Sequence, residues 1–247
     1  MTLVHAGPVR NISFVMERFP SAPEYPKPTE VLCRRVRQIT FAHFRPSEKR
    51  HTTATPMTKT QLNAGDKTPI SGVRLSALAS GIRYKDRLDL VLIEIPEEGT
   101  LAGVFTRNAF CAAPVKIARE HLADADTRYF LINTGNANAG TGAEGEKMAL
   151  RCCQWLGEAA GVRATQVLPF STGVIGEALP ADKIHAAIPE LYAALAPDNW
   201  MPAATGIMTT DTHPKFRTRL LKLAGQDFRI SGIAKGAGMI KPNMATM

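Results

Sequence analysis

No apolar run in this sequence approaches the roughly 18 residues that a membrane-spanning helix needs. The greasiest stretch, Leu88 to Pro96, is short and carries Asp89 and Glu94, so a soluble protein without a membrane partner is expected. Cysteine is equally scarce. Cys33, Cys111, Cys152 and Cys153 are the four in 247 residues, too few for a disulfide framework, and the adjacent pair Cys152-Cys153 cannot easily bridge within a helix. A reducing, cytoplasmic compartment is expected on that ground. Internal repeats and low-complexity tracts are missing too. With 45% hydrophobic and 21% charged residues, the composition sits near the globular average and excludes collagen-like, coiled-coil and disordered classes. At about 150 residues per domain the length allows one to two domains and a sizeable core.

The formal charge of +8 suggests a nucleic-acid binder until it is divided along the chain. Residues 1–56 hold nine Lys and Arg against four Asp and Glu, whereas the remainder carries 21 against 18. The body therefore lacks the basic stripe that phosphate backbones require, and no nucleic-acid partner is expected. Residues 1–56 also lack a helical or strand period: Pro20, Pro23, Pro26 and Pro28 punctuate them, and Arg34, Arg35 and Arg37 cluster. Without an uninterrupted apolar stretch they are no secretory signal, and Glu17, Glu24 and Glu30 spoil the amphipathic helix of a transit peptide. They read as a basic, disordered extension, or as an over-extended gene start with Met57 the true beginning.

From Met57 onward strand and helix signals alternate, which predicts an α/β or α+β layered domain. Leu88 to Ile95 is an aliphatic strand closed by Pro96, and Leu101 to Thr106 is expected to pair with it across the Glu97-Glu98-Gly99 turn. Arg128 to Asn133 is a buried strand ending in the glycine-rich loop 134–142. Ala143 to Ala160 places Met148, Cys152, Trp155 and Leu156 on one helical face, with Gly161 as a stop. Val167 to Phe170 delivers the chain into Ser171-Thr-Gly-Val-Ile-Gly176. A further helix runs from about Ala181 to Leu195, and Phe228 to Ala234 is a last strand leading into Lys235-Gly-Ala-Gly238.

Four polar or glycine-rich segments thus sit at strand ends: 134–142, 171–176, Thr209-Thr-Asp-Thr-His-Pro-Lys215 and 235–247. Each alone is weak, because a glycine-rich turn after a strand is more often plain chain reversal. The loop 134–142 fits neither G-x-x-x-x-G-K-[ST] nor G-x-G-x-x-G, so no nucleotide cradle is indicated. His213 has no partner at ligand spacing, so no metal is expected. Asn133, Asn136 and Asn138 read as residues that hold loop geometry.

Together the blocks are specific. Lys235-Gly-Ala-Gly-Met-Ile-Lys-Pro-Asn-Met-Ala-Thr-Met247, with Thr106-Arg-Asn108, Asn133-Thr-Gly-Asn-Ala-Asn-Ala139, Ser171-Thr-Gly-Val-Ile-Gly176 and Thr209-Thr-Asp-Thr212, resembles the ornithine acetyltransferase (glutamate N-acetyltransferase) family of arginine biosynthesis. The resemblance covers roughly residues 60–247 and implies a layered αββα architecture. It also implies self-cleavage between Ala245 and Thr246. The threonine hydroxyl attacks its own preceding carbonyl, the amide becomes an ester, and hydrolysis leaves Thr246 with a free α-amine. Such an amine, with a reference pKa of about 7.7–8.0, can serve as base beside its own hydroxyl near neutral pH.

By the same resemblance Thr246 is the nucleophile that takes acetyl from N-acetylornithine and passes it to glutamate. The Thr172 hydroxyl and the Gly173 N–H form the oxyanion hole, Thr212 and Lys235 contact substrate alongside Thr246, and no cofactor is needed. Some members also use acetyl-CoA as co-substrate, which this half leaves open. The family assembles as a heterotetramer of two α and two β chains. Residues 57–245 then correspond to the α-chain-like catalytic half and 246–247 to the start of a β-chain whose remainder is missing, so the chain alone is expected to be uncleaved and inactive. Two competing readings use the same residues differently. One is an amidase or aminopeptidase of N-terminal-nucleophile type, with water as acceptor. The other is a non-catalytic interaction domain with a basic N-terminal tail.

Overall fold

A computed structural model describes residues 2–6, 11–15, 31–34, 70–106, 108–223 and 226–236. In chain order the elements are β1 (Thr2–Ala6), β2 (Asn11–Val15), β3 (Val31–Arg34), β4 (Arg74–Leu78), β5 (Leu90–Glu94), β6 (Thr100–Val104), α1 (Ala113–Asp124), β7 (Tyr129–Asn136), α2 (Gly142–Ala160), β8 (Val167–Val174), α3 (Ala181–Ala193), α4 (Trp200–Gly206), β9 (Lys215–Leu223) and β10 (Gln226–Ala234). They build two sheets, with strand orders β4-β5-β7-β8 and β3-β6-β1-β2-β10-β9.

The four-stranded sheet is the central layer because its strands are apolar on both faces. Val91, Ile93, Phe130, Ile132 and Leu168 turn toward the cluster that holds Leu101 and Phe105 near β6 and Ile233 of β10. Alternate residues Leu90, Leu92, Tyr129, Leu131 and Val167 turn the other way, onto Cys152 and Leu156 of α2 and Ile184, Ile188 and Leu191 of α3. Period-two side chains on a twice-covered strand produce this continuous apolar run. Full burial of each such side chain contributes about 1.5–3 kcal/mol. The layers therefore run helices α2 and α3, four-stranded sheet, six-stranded sheet. The expected mixed α/β layered class is what the chain adopts.

Strand β7 runs antiparallel to β5 and parallel to β8. A parallel pair needs a crossover, and α2 supplies it. That places the C-terminal ends of β7 and β8 beside the start of β5, with Leu90 opposite Asn133 and the Thr134 N–H donating to the Asp89 carbonyl at 2.8 Å.

The strand over Leu101 to Thr106 does not pair with β5 as expected. Both edges of β5 are taken, by β4 and β7, and the turn in which the Gly99 N–H donates to the Pro96 carbonyl at 2.9 Å redirects the chain. It enters the second sheet, where β6 pairs with β1 and β3. Within residues 1–56, β1, β2 and β3 are strands of that sheet; the rest of the segment lies outside the described residues. No described helix is long and apolar enough to cross a membrane.

Candidate active site

The end of the β7–β8 pair is shaped by two glycines in register, Gly135 and Gly173. Their φ angles are +92° and +139°, a region side chains avoid. A Cβ on Gly173 would lie 2.4 Å from the carbonyl carbon of Gly135 and 2.6 Å from the Asn136 nitrogen. Only glycine lets the two backbones approach this closely. Thr172 precedes this crossing, half-buried, and its hydroxyl has no hydrogen-bond partner among the described residues.

Asparagines brace the crossing. Ser171 Oγ donates to Asn133 Oδ1 at 2.6 Å, and Asn133 Nδ2 donates to the Asn136 carbonyl at 2.9 Å. Asn136 Nδ2 reaches the carbonyls of Glu177 and Ala178, while its Oδ1 receives the Asn138 N–H at 2.7 Å. Asn138, fully buried, donates to the Gly145 carbonyl at 2.8 Å and receives the Thr141 hydroxyl. The start of α1 joins through the Ala113 N–H to the Asn138 carbonyl. Gly140 lies between two exposed apolar side chains, since a methyl placed on it would meet Phe110 Cζ at 3.6 Å and Ile175 Cγ2 at 3.7 Å. Two of the sequence blocks, 133–139 and 171–176, thus converge at one strand end, with Phe110 and the start of α1 beside them.

A second corner forms where the chain between α4 and β9 meets the exit of β10. Asp211 has a fully buried side chain that pairs with Lys215. Its Oδ1 also receives the Gly236 N–H at 2.8 Å, and its Oδ2 the Thr209 N–H at 3.2 Å. Burial opposes ionisation of this carboxyl, yet the Lys215 ammonium and the two backbone donors outweigh it and hold its pKa below the ordinary value. Thr212, exposed, bonds His213 Nδ1 at 3.1 Å, and Lys235, half-buried, immediately precedes the clamped Gly236. Among the described residues Lys235 forms no ion pair.

Arg87 and Asp89 connect the corners. Arg87 Nη2 donates to the carbonyls of Met208 and Thr209 at 2.7 and 2.8 Å, and two residues later the Asp89 carbonyl holds Thr134. Both corners therefore flank the start of β5, at the end of the parallel pair where α/β sheets place ligands.

Of the residues the motifs single out, Thr172 and Gly173 lie at the first corner, and Thr212 and Lys235 at the second. Ala245 and Thr246 lie outside the described residues. Asp211, Gly135 and Arg87 are missed by motif reasoning. Asp211 does carry a local signal, a carboxylate that accepts from a nearby backbone N–H in a threonine-rich turn. The buried thiols of α2 are poor nucleophile candidates, because burial pushes Cys152 up to about 12 and Cys153 higher still. No group of three or more His, Cys, Asp or Glu that could hold a metal occurs among the described residues.

The layered α/β fold is one that two solved structures share. The chain is similar to the arginine biosynthesis bifunctional protein ArgJ of Bacillus halodurans, with a TM-score of 0.65 and 32% identity over 72% of this chain and 95% of that one. It is also similar to the ornithine acetyltransferase of Mycobacterium tuberculosis solved with ornithine, at TM-score 0.61 and 31% identity over 71% and 93%. The family model of the ArgJ family matches residues 74–247. The arginine biosynthesis bifunctional ArgJ proteins of Psychrobacter arcticus and Methylococcus capsulatus are 56% and 55% identical over 179 residues, 72% of this chain and 44% of each relative. The chain belongs to the ArgJ family. It spans less than half the length of these curated relatives.

Proposed function

We propose that this chain is the N-terminal catalytic half of an acetyltransferase of arginine biosynthesis, moving acetyl from N-acetylornithine to glutamate. The observation that carries this reading is the β7–β8 strand end, where a backbone only glycine can adopt follows a threonine whose hydroxyl is uncommitted among the described residues. Oxyanion stabilisation needs donors fixed in advance by a rigid scaffold.

In this reading Thr246 becomes a chain terminus by cleavage after Ala245. Its Oγ attacks the acetyl carbonyl, the α-amine accepts the hydroxyl proton, and the collapsing tetrahedral adduct expels the amine of ornithine, which takes up that proton. The acetyl ester then passes to the amine of glutamate. Thr172 and Gly173 stabilise the oxyanion in both halves, and Lys235 and Thr212 hold the substrate carboxylate and polar groups. Acetyl-CoA as second donor, cytoplasmic location and a heterotetramer of two α and two β chains belong to the same proposal. So does the division of the chain into a segment 1–56, a catalytic half at 57–245 and two β-chain residues at 246–247. One comparison supports the cleavage: alignments over 72% of this chain fill 44% of the Psychrobacter relative but 95% of the solved Bacillus halodurans polypeptide, which is therefore itself a half-length chain.

The test joins this chain directly, after Met247, to the second half of the Psychrobacter arcticus relative and compares the fusion with the chain alone. The fusion should split before Thr246 by intact mass and transfer acetyl from acetylornithine to glutamate, and Thr246→Ala should abolish both. Acetyl release to water in preference to glutamate would make the protein an amidase instead. An intact, inactive fusion would overturn the enzyme reading.

A further inference from the structure

The geometry points to Asp211 as a positioning residue whose carboxylate latches the exit of β10 onto the Thr209–Thr212 turn, setting where Lys235 and the chain beyond it begin. The importance of that placement rests on the acetyltransferase reading above; the latch itself does not. Asp211 belongs to the loop between α4 and β9, yet its carboxylate gathers groups from separate segments. Lys215 opens β9, where it lies opposite Ala234 at the end of β10, and Gly236 follows two residues after Ala234. The Thr209 N–H comes from the same turn as Thr212, and that turn is gripped from behind by Arg87.

The residue type follows from the donors. Lys215, Gly236 and Thr209 all present N–H groups to one fully buried side chain. A carboxylate offers two oxygens and no proton, so it accepts from all three. An asparagine of the same size keeps one oxygen, enough for Lys215 and Gly236, but turns its NH2 group toward the Thr209 N–H, and an alanine accepts from none of the three. Pairing also neutralises Lys215, whereas Lys235, which forms no ion pair among the described residues, keeps its charge for a substrate carboxylate. The Asp211 carboxylate is taken up by these three donors. It acts through the backbone of Gly236 and the turn that carries Thr212.

Amide hydrogen exchange by mass spectrometry, together with steady-state transfer kinetics on the fusion, tests this. Asp211→Ala should speed exchange in the peptide containing Gly236 at least tenfold while β5 and β7 keep their parent rates. It should also raise KM for acetylornithine at least tenfold, more than any loss in kcat. Lys215→Met leaves the carboxylate's bonds to Gly236 and Thr209 in place and should keep Gly236 slow. Should Asp211→Ala speed exchange everywhere, global unfolding is revealed, and Asp211→Glu, which moves the charge by one methylene, takes its place with the same local release expected. Parent-like exchange at Gly236 in the Asp211 variant, or equal release by Lys215→Met, overturns the latch. A parent fusion that neither cleaves nor transfers overturns the acetyltransferase reading instead, and the exchange comparison still decides the latch.

Discussion

The corner at Thr172 and Gly173 is assembled from neutral groups, whereas the corner at Thr212 and Lys235 hangs on one buried charge. At the first, glycine backbones in contact and a relay of asparagine amides divide the work among many bonds, each with a modest net contribution of about 0.5–1.5 kcal/mol. At the second, a single carboxylate gathers an ammonium and two backbone N–H groups, and charge-assisted bonds are roughly twice as strong as neutral ones. Distributed neutral bonding gives a scaffold indifferent to pH and intolerant of added volume. Concentrated charge gives one that tolerates neighbours but depends on a protonation state.

The sharpest break should come from Gly173→Ala. The backbone φ of +139° alone costs of order 1–3 kcal/mol, and the new methyl would sit 2.4 Å from Gly135 backbone. Urea denaturation should show a loss of at least about 3 kcal/mol, with no cleavage by the fusion. Thr172→Ala should leave unfolding nearly unchanged while slowing acetyl transfer by about 10²–10³-fold, the usual consequence of losing one oxyanion donor. A variant with parent-like kcat would reduce Thr172 to an ordinary strand residue.

Asn138→Ala removes a buried side chain that reaches Gly145 and Thr141, while the backbone N–H bond to Asn136 remains. About 1–3 kcal/mol should be lost in the same denaturation experiment. The smallest effect separates the two corners by acid. Because Asp211 binds its proton less readily folded than unfolded, its contribution to stability is present above the ordinary carboxylate range, near about pH 4, and is lost as pH falls through the lower folded value. Thermal unfolding across that window should show a steeper fall in Tm for the parent than for Asp211→Asn. Asn138→Ala should run parallel to the parent, and equal slopes in all three would erase the distinction.

Much of the architecture is legible in local pattern. The aliphatic runs of β5 and β7, the 3.6-residue face of α2 and the start of α3 at Ala181 all coincide with the structure within a few residues. The partner of β6 is not legible, because whether a strand following a turn folds back depends on whether its neighbour's edge is already taken, and β4 and β7 are distant in sequence. Likewise β8 continues to Val174 although Ser171, Thr172 and Gly173 have loop composition, since β7 supplies the pairing. α1 and α4 are not anticipated from the sequence, although Ile117, Ala118, His121 and Leu122 of α1 do bury one helical face. At the site, Thr172, Gly173, Thr212 and Lys235 are reached through motif resemblance, and the convergence of 133–139 and 171–176 is added by the fold. Asp211 stands in plain view inside Thr209-Thr-Asp-Thr212, but its partner Gly236 arrives from 25 residues away, a separation no local rule spans.

The close passage of Gly135 and Gly173 has a consequence for the history this protein can have. A methyl at Gly173 collides with backbone, and one at Gly135 would lie 2.9 Å from the Cβ of Arg83. In a library of the fusion saturating every position of this chain and selected for the proposed cleavage before Thr246, these two columns should stay blank even where exposed neighbours accept replacements. The crossing is then a fixed point around which the neighbouring loops are free to diversify.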